Sequence, residues 1–386
     1  MSADNIYLDR AKALQPVLAD RAVATDARRQ LLPETVADIK AAGFHRMSQP
    51  KRFGGAEQPL QHSIEVIATL ASACASTAWV CGLWNDHALA LTKFDPRAAE
   101  LVWGKNPDAT VSAGFTPSGT VERVAGGFRI AGTWSWSSGC DYADWFLVAS
   151  LLPLTEGPPT PSLCLVPRSA VTIDDNWHFL GLNGTGSKNI VLESIVVPEH
   201  HVLPMAISNL GIPPGRTDLS LVHRLPHVTH APFLFTAAGI GIAEGMLAMT
   251  IEWLTKRKSA AGTSLVDLQS MHLHLAEAAA EIDCARLLVM RDLTASMQAM
   301  ADGRTISLPE KARNRRDQAY SGRLCRRAVD RLYSMAGANG MYDSSALQRK
   351  FRDMCAVSAH ISSSWDLAGT AYGRVSLGLD PNSFLI

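Results

Sequence analysis

The pattern of apolar and polar positions divides the chain into three parts. In the first part, up to about Gly104, apolar residues recur at the three- and four-residue spacing of helices. Pro33 suits the first turn of a helix, and Gly54-Gly55 marks a loop. We therefore predict an N-terminal helical domain over residues 1–108. Its predicted helices span residues 10–43, with a break before Pro33, 61–72 and 76–91.

The second part, residues 109–205, carries short alternating or β-branched runs separated by Gly, Pro and Ser. Such runs predict strands joined by turns. They indicate a small antiparallel β domain, either a barrel or a sandwich. The predicted strands are Thr110–Ala113, Thr120–Val124, Gly127–Trp136, Trp145–Leu151, Ser162–Pro167 and Asn189–Val197.

Helical spacing returns in the third part, residues 206–386, and four long segments with short connections predict an antiparallel four-helix bundle. One segment, Ala231–Ile251, is apolar and long enough to cross a bilayer. Glu244 lies inside it, so we predict a helix buried in the bundle and no membrane association. The fold class is thus α+β and mainly α. The predicted bundle helices are Pro232–Lys258, Leu265–Ala301, Pro309–Ala336 and Ser345–Leu377.

The stretch Phe128–Trp145 is the most informative of the middle part. In a regular strand its alternation places four apolar side chains and one hydroxyl on the same face. Two tryptophans beside a serine suit a planar ring rich in heteroatoms, held in the cleft between domains. The alternative is a strand of an ordinary barrel core. The five residues predicted to share one face of this strand are Phe128, Ile130, Trp134, Trp136 and Ser138.

Composition narrows the class of protein. The 386 residues contain 36 Lys plus Arg and 36 Asp plus Glu, with no basic stripe, which argues against a nucleic-acid partner. The seven cysteines are scattered and form no C-x-x-C pair, as in a reduced cytoplasmic protein. The chain opens without a basic and apolar leader, so we expect no signal peptide.

Two further patterns could be mistaken for binding sites. The glycines of Gly239–Gly245 resemble a dinucleotide loop, but no strand precedes them, so we predict close helix packing. His223, His227 and His230 are near in sequence. Pro226 would interrupt a helix that aligns them, and no Cys or acid completes a set, so we predict no metal.

The domain order and several local motifs resemble the acyl-CoA dehydrogenase fold. The resemblance implies a flavin site and a homo-oligomer, usually a tetramer formed through the bundles. Dehydrogenases of this fold usually carry a Tyr-Glu-Gly-Thr run whose carboxylate removes the substrate proton, whereas Val357–Ser362 contains no acid. The motifs that resemble the acyl-CoA dehydrogenase fold are Arg52-Phe53-Gly54-Gly55, Trp134–Trp145, Gly181–Ser187 followed by Val196-Val197-Pro198, Arg257 with Gln269, and Gly337–Gly340 with Arg349–Asp353.

The Trp136–Gly139 strand, the Val357–Ser362 region and the closing Tyr372–Arg374 resemble the oxygenase component of two-component flavin-dependent monooxygenases. That group hydroxylates phenols such as p-hydroxyphenylacetate or the secosteroid phenol of sterol breakdown. The resemblance implies that reduced FMN or FAD diffuses in from a separate NAD(P)H:flavin reductase. It further implies that a flavin C4a-hydroperoxide formed with O2 transfers oxygen to a small aromatic substrate.

The same resemblance implies roles for individual residues. Ser138 would bond flavin N5, His87 would accept the proton of the substrate phenol, and His360 would act near the flavin C4a oxygen. We expect His360 on the last helix, with Ser363 and Ser364 on the same face. For Ser138 and His360 the alternative is a packing role, and for His87 it is a histidine on the helix surface near a domain boundary. The other cofactor-binding candidates are Trp84, Ser112 and Trp136, Arg257 with Gln269 at a flavin phosphate, and Ala338 with Asn339 from a neighbouring subunit.

Three other functions stay open at the level of sequence. An atypical FAD-dependent acyl-CoA dehydrogenase would need a base elsewhere, with Glu244 and Asp366 as candidates. Oxidation of sulfur or nitrogen in a heteroaromatic ring would use the same flavin chemistry. A non-catalytic scaffold of this fold would bind no reduced flavin.

Overall fold

The computed structural model of the protein describes residues 5–153, 157–258, 262–383 and 386. Helices form both ends of the chain and strands form its middle, as the sequence pattern predicts. The helices are α1 (Ile6–Arg28), α2 (Pro33–Ala42), α3 (Leu60–Ala73), α4 (Ala75–Leu91), α5 (Pro96–Trp103), α6 (Met205–Leu210), α7 (His227–Thr255), α8 (Gln269–Ala301), α9 (Leu308–Met335), α10 (Ala346–Ala359) and α11 (Trp365–Ser376). The strands are β1 (Val111–Gly114), β2 (Thr120–Val124), β3 (Gly127–Ser137), β4 (Trp145–Leu152), β5 (Thr160–Pro167), β6 (Thr172–Asp174), β7 (Lys188–Pro198) and β8 (Val202–Pro204).

Helix α4 is the central element of the N-terminal part. Every residue from Ala75 to Leu91 is buried. One core cluster joins α1, α3 and α4 to the C-terminal helices, so α4 has no solvent face. A polar residue on this helix therefore faces other protein groups or an internal site.

The middle part forms two four-stranded sheets, with strand orders β1-β4-β5-β8 and β2-β3-β7-β6. Apolar residues of β3 and β7 pack against residues of β4 and β5 between the sheets, which is the arrangement of a sandwich. The opposite face of β1, β4 and β5 packs against α5 and the end of α4. One detail departs from the predicted antiparallel order, because β1 runs parallel to β4.

The C-terminal bundle contains the apolar helix α7, and the prediction that it is buried is confirmed. Among the described residues α7 is the one helix long and apolar enough to span a bilayer, and most of its apolar window is buried inside the protein. The prediction of one continuous last helix over Ser345–Leu377 is wrong. The backbone of His360 is extended (φ −66°, ψ 142°), which separates α10 from a short 3-10 turn over Ile361–Ser363 and from α11.

The glycines of α7 allow it to approach α3 closely. A Cβ atom at Gly241 would lie 2.0 Å from the carbonyl oxygen of Ala68, and one at Gly245 would lie 2.3 Å from that of Ser72. No side chain fits at such distances, so both positions require glycine. The predicted close helix packing of this segment is confirmed.

Candidate active site

A bulge near the end of β3 positions the predicted serine. The pairing of β3 with β7 shifts register between Trp134 and Ser137. Trp136 lies inside this bulge with φ +63°, a left-handed conformation that is costly for a bulky residue. The predicted common face of five residues is therefore wrong. Trp134 donates from Nε1 to Ala149 O at 2.6 Å inside the sandwich core, whereas Trp136 is 61% exposed.

Ser138 follows the bulge, is buried, and begins a directed chain of hydroxyl groups. Ser138 Oγ lies 2.7 Å from Ser187 Oγ, and Ser187 Oγ lies 2.7 Å from Thr185 Oγ1. Thr185 donates its proton to Leu182 O at 2.7 Å. A carbonyl oxygen only accepts, so Ser187 must donate to Thr185 and Ser138 must donate to Ser187.

The remaining contacts of Ser138 leave one position open. Trp79 Nε1 donates to Ser138 Oγ at 3.2 Å and uses one of its two lone pairs. The hydroxyl proton is already given to Ser187. Ser138 thus presents one further lone pair, which can accept a hydrogen bond but cannot donate one.

The predicted serine Ser112 lies behind Ser138. It donates to Ser138 O at 2.8 Å, so it must accept from the hydroxyl of Ser137 at 2.7 Å. Ser112 and Ser137 are both buried. The structure therefore brings Ser112 next to Ser138, where its hydroxyl fixes the end of β3 to β1.

His360 lies beside Trp79. Because Trp79 also donates to Ser138, His360 and Ser138 belong to the same site. Its ring meets Trp79 edge-on with 5.5 Å between centroids and lies 4.1 Å from the ring of Phe235. The prediction that Ser363 and Ser364 share a helical face with His360 is wrong, because α10 ends at Ala359 and His360 caps the following turn.

The protonation of His360 follows from its contacts. Burial, and secondarily the positive charge of Arg315, lower the pKa of His360 to about 4, so the ring is neutral at pH 7. Its Nδ1 accepts from the backbone N–H of Ser362 at 3.1 Å, which places the single ring proton on Nε2. Arg315 is itself buried and donates to Ser362 O and Ile361 O at 2.7 and 3.1 Å. His360 thus offers an N–H donor at Nε2.

His87 offers the opposite group. Its Nδ1 lies 2.7 Å from Val111 O, and since a carbonyl only accepts, Nδ1 carries the proton. Burial lowers the pKa of His87 despite the nearby carboxylate of Asp86. Its Nε2 therefore carries an unprotonated lone pair, as required of a group that accepts a phenol proton. The prediction of a surface position as the alternative for His87 is wrong, because only 2% of the residue is exposed.

The residues around Ser138 fit a reduced flavin ring. Reduced flavin carries an N–H group at N5, and the one unused position on Ser138 is an acceptor. Trp136 presents an exposed indole that a flat ring can cover. Trp84 lies behind this strand, since a Cβ atom at Gly139 would stand 3.1 Å from Trp84 Nε1. Trp84 is 1% exposed and supports the strand from the helical side.

The other predicted flavin contacts lie at the surface of the chain. Arg257 follows the end of α7 and stacks over Trp253 at 5.5 Å, and Gln269 begins α8. Ala338 and Asn339 lie in a short turn after α9. All four predicted residues are exposed, so they are free to meet a ligand or a neighbouring chain. Their roles stay predictions.

The arguments for dismissing the histidine cluster are wrong for His227 and His230, whereas His223 does lie apart from them, in a 3-10 turn over Leu221–Arg224. Pro226 does not interrupt the helix but directly precedes α7, so His227 and His230 stand one turn apart on it. An acid does approach them, because one ligand atom each from Asp86, His227 and His230 lie within 4.8 Å of one another. The prediction that no metal is bound stays a prediction.

Of the two acids named for the dehydrogenase alternative, one is paired with an arginine and the other is exposed. The carboxylate of Glu244 accepts two hydrogen bonds from Arg286, at 2.6 and 2.9 Å. Asp366 is exposed at the start of α11.

Sequence reasoning missed several of the groups that complete the site. The run Thr185–Ser187 belongs to a family motif, and its two hydroxyls beside glycines are also a signal for local hydrogen bonding. Phe235 and Arg315 lie far from His360 in sequence and carry no local signal. Their contribution depends on how α7 and α9 pack around the turn after α10.

Comparison with known proteins supplies the family. Residues 233–365 match the family model described as "Acyl-CoA dehydrogenase, C-terminal domain". The chain is 34% identical to the oxygenase component of the FADH2-dependent resorcinol hydroxylase of a Rhizobium species, over 96% of this chain and 94% of that protein. It is 31% identical to the oxygenase component of p-hydroxyphenylacetate 3-hydroxylase of Acinetobacter baumannii, over 98% and 90%. The crystal structure of the HsaA monooxygenase of Mycobacterium tuberculosis superposes with a TM-score of 0.94 at 33% identity, covering 100% of both chains.

Proposed function

The chain belongs to the oxygenase components of flavin-dependent aromatic hydroxylases with the acyl-CoA dehydrogenase fold, and from this premise we propose how its own residues serve hydroxylation of a phenol. The predicted fold class and the predicted family are confirmed. Reduced FAD supplied by a separate flavin reductase is the cofactor that these relatives indicate, with O2 as co-substrate. Bound in the site, reduced flavin supplies the electrons that activate O2.

The observation that carries the proposal is the direction of the hydroxyl chain at Ser138. Because the proton of Ser138 is given to Ser187, its open lone pair can only accept, and the N–H at flavin N5 is a donor. Ser138 would therefore hold the proton at N5 of a bound reduced flavin. A proton lost from N5 would favour release of H2O2 instead of oxygen transfer.

Whereas Ser138 would bind the flavin, His360 would bind the oxygen. Its Nε2 is a donor, and the ring is held at a fixed angle between Trp79 and Phe235. A neutral N–H group at this position would donate a hydrogen bond to oxygen beside the flavin without adding a net charge to the site. The enclosing aromatic rings also limit the access of water.

His87 is the group that we assign to the phenol. Its Nε2 lone pair can accept the phenolic proton, which raises the electron density of the ring where oxygen attacks. Because Nδ1–H is bonded to Val111 O, the developing positive charge is stabilised by a carbonyl dipole. Two histidines of opposite tautomer thus perform two different tasks in one site.

We further propose that two or more copies of the chain assemble. The exposed turn that contains Ala338 and Asn339 continues into two large apolar side chains, Met341 and Tyr342, which are 70% and 67% exposed. Such side chains near a predicted flavin contact suit an interface. Sedimentation velocity would test this, since a single monomer peak at micromolar concentration would contradict it.

The proposed function is tested by measuring which compound contains the oxygen atoms of O2 after the reaction. Mixing the protein with reduced FAD, phenolic substrate and isotopically labelled O2 should place one labelled atom in the hydroxylated product. Label only in H2O2, at the yield found without protein, would contradict the function. A Ser138→Ala variant should shift the outcome from product to H2O2.

A further inference from the structure

The structure brings together two sequence motifs whose contact has no role in the function described so far. The motif Gly181–Ser187 contains the end of the hydroxyl chain, and the motif Arg349–Asp353 lies on α10. A Cβ atom at Gly181 would lie 2.1 Å from the carbonyl oxygen of Arg352, so the two backbones are in direct contact. No side chain fits at such a distance. The turn that ends the hydroxyl chain is thus built directly on α10.

Two side chains of α10 hold the peptide groups on either side of Gly181. Arg352 donates to Leu180 O at 2.8 Å, and Asp353 Oδ1 accepts from the backbone N–H of Leu182 at 2.7 Å. Asp353 and Leu182 are both buried, so little water reaches the hydrogen bond between them. Asp353 is therefore the internal partner of this peptide group.

The backbone of Leu182 requires such a partner. Its φ is +54°, a left-handed conformation that is unfavourable for a residue with a side chain. Its carbonyl oxygen accepts from Thr185 Oγ1 at 2.7 Å and from the backbone N–H of Thr185 at 3.1 Å. Rotation to the common negative φ would turn the two peptide groups of Leu182 relative to each other. Asp353 holds one of these groups and Thr185 uses the other.

Resting on the proposed function, we propose that Asp353 is a positioning residue for oxygen transfer. Its carboxylate holds Leu182 in the left-handed conformation and so keeps Leu182 O in place as the acceptor that ends the hydroxyl chain. Without this acceptor Thr185 is free to donate to Ser187, and Ser187 to Ser138. Ser138 would then direct its proton, instead of its lone pair, toward the flavin N–H, and two donors would face each other.

The charge of Asp353 suits this task. Burial raises the pKa of Asp353 to about 6, although the hydrogen bond from the Leu182 N–H opposes the increase. The side chain is therefore mainly ionised at pH 7, and an ionised carboxylate only accepts hydrogen bonds. A hydrogen bond to a charged acceptor is also stronger than one between neutral groups.

Helix α10 carries the second proposed group as well. His360 directly follows its last residue, about two turns beyond Asp353, which is roughly 10 Å along the axis. One helix thus positions the acceptor at the flavin, through Asp353, and the N–H donor at oxygen, through His360. A test must therefore separate the hydrogen bond of Asp353 from a general disturbance of α10.

Rapid mixing of the protein and reduced FAD with O2 measures the effect without any substrate. The readout is the delay before the absorbance of oxidised FAD returns at pH 7. Asp353→Leu keeps the volume of the side chain and removes the acceptor, so it should shorten the delay about tenfold, as the loss of one hydrogen bond does. Asp353→Asn keeps an acceptor oxygen and should retain most of the wild-type delay. A wild-type delay in Asp353→Leu would overturn the proposal.

A double variant shows whether the effect passes through Ser138. If it does, Asp353→Leu combined with Ser138→Ala should shorten the delay no more than Ser138→Ala alone. Independent effects would multiply to about a hundredfold, and that result would overturn the proposal.

Met354→Ala is the matched control, because Met354 is buried on the same helix and its side chain is apolar. It should lower the unfolding temperature and leave the delay unchanged. A delay shortened about tenfold in Met354→Ala would overturn the proposal, since any disturbance of α10 would then suffice. If Asp353→Leu fails to fold, Asp353→Ala makes the same comparison.

The wild-type protein separates this proposal from the proposed function. A wild-type protein that shows no delay would contradict the proposed function, and the role of Asp353 with it. A wild-type delay that persists when Asp353 loses its acceptor overturns the role of Asp353 alone.

Discussion

At the scale of single residues, the direction of hydrogen bonds decides what each polar group can do. Ser138 is left with an acceptor only because Thr185 ends the hydroxyl chain on a carbonyl. His360 is left with a donor because a backbone N–H occupies its Nδ1. The residue types alone do not determine whether Ser138 and His360 donate or accept a hydrogen bond. Their contacts in the fold determine it.

Ser138→Ala should raise the share of reduced flavin that ends as H2O2 by about tenfold, because one hydrogen bond to the flavin N–H is lost. The measurement is product formed against H2O2 released. Ser137→Ala is the matched control, since Ser137 is equally buried but its hydroxyl is donated to Ser112. Equal losses in both variants would indicate a role in folding rather than at the flavin.

Arg315→Met should raise the pKa of His360 above about 4, because a buried positive charge near the ring is removed. Nuclear magnetic resonance of labelled histidine, followed against pH, measures this value. Arg313→Met, two residues away on α9 and paired with Asp292, should leave it unchanged. A His360 pKa that does not move would show that burial alone sets it.

The sequence could indicate which residues belong to the site, but not how they are oriented. Ser138, His87 and His360 were predicted from a resemblance, and the structure connects Ser138 and His360 through Trp79. The departure of Trp136 from the predicted face is not predictable, because a bulge shifts the period of a strand without any Gly or Pro at that point. The approach of Asp86 to His227 is a tertiary contact between two helices.

At the scale of elements, the site depends on close packing of α7 against its neighbours. This helix carries His227 at its first turn and Phe235 two turns later, so its axis must be held near α3. Glycines at the contact permit that approach.

Gly241→Ala should lower the free energy of unfolding by about 1–3 kcal/mol, because the added methyl group overlaps Ala68 O. Gly239→Ala on the same helix is the control. Its Cβ atom would meet only Val357 Cγ1 at 3.6 Å, an ordinary contact, and alanine favours a helix by about 0.5–1 kcal/mol. Thermal unfolding of both variants should therefore shift in opposite directions, and equal shifts would contradict the packing argument.

Element prediction succeeded where periodicity is long and failed where tertiary contacts decide. The long helices and the six longer strands follow the pattern of the sequence within a few residues. The strands β6 and β8 have three residues each, too few to show alternation. The break at His360 has no Pro or Gly to announce it, and Arg315 holds the carbonyls of the turn.

At the scale of the whole molecule, buried neutral histidines couple stability to pH. Six deeply buried histidines have a pKa below the usual 6.5, with burial as the largest cause, and the half-buried His201 shifts in the same direction for the same reason. As pH falls from 6.5 toward 4, the unfolded chain takes up these protons before the folded one, so folding loses stability. The six are His45, His87, His223, His227, His230 and His360.

Thermal unfolding should therefore occur at a lower temperature at pH 5 than at pH 7. Asp292 and Asp353 oppose this trend, because burial raises the pKa of each to about 6 and the folded state binds their protons first. Six groups outweigh two, so the net change is a loss. A midpoint that is unchanged or higher at pH 5 would contradict the protonation states given to the histidines.

The central claim is that this chain holds reduced flavin so that oxygen is directed to an aromatic ring. Rapid mixing of the protein and reduced FAD with oxygenated buffer, followed by the absorbance of oxidised FAD, tests it most directly. The predicted result is a delayed return of that absorbance relative to free flavin, with a shorter delay in Ser138→Ala. A return at the rate of free flavin would contradict the claim.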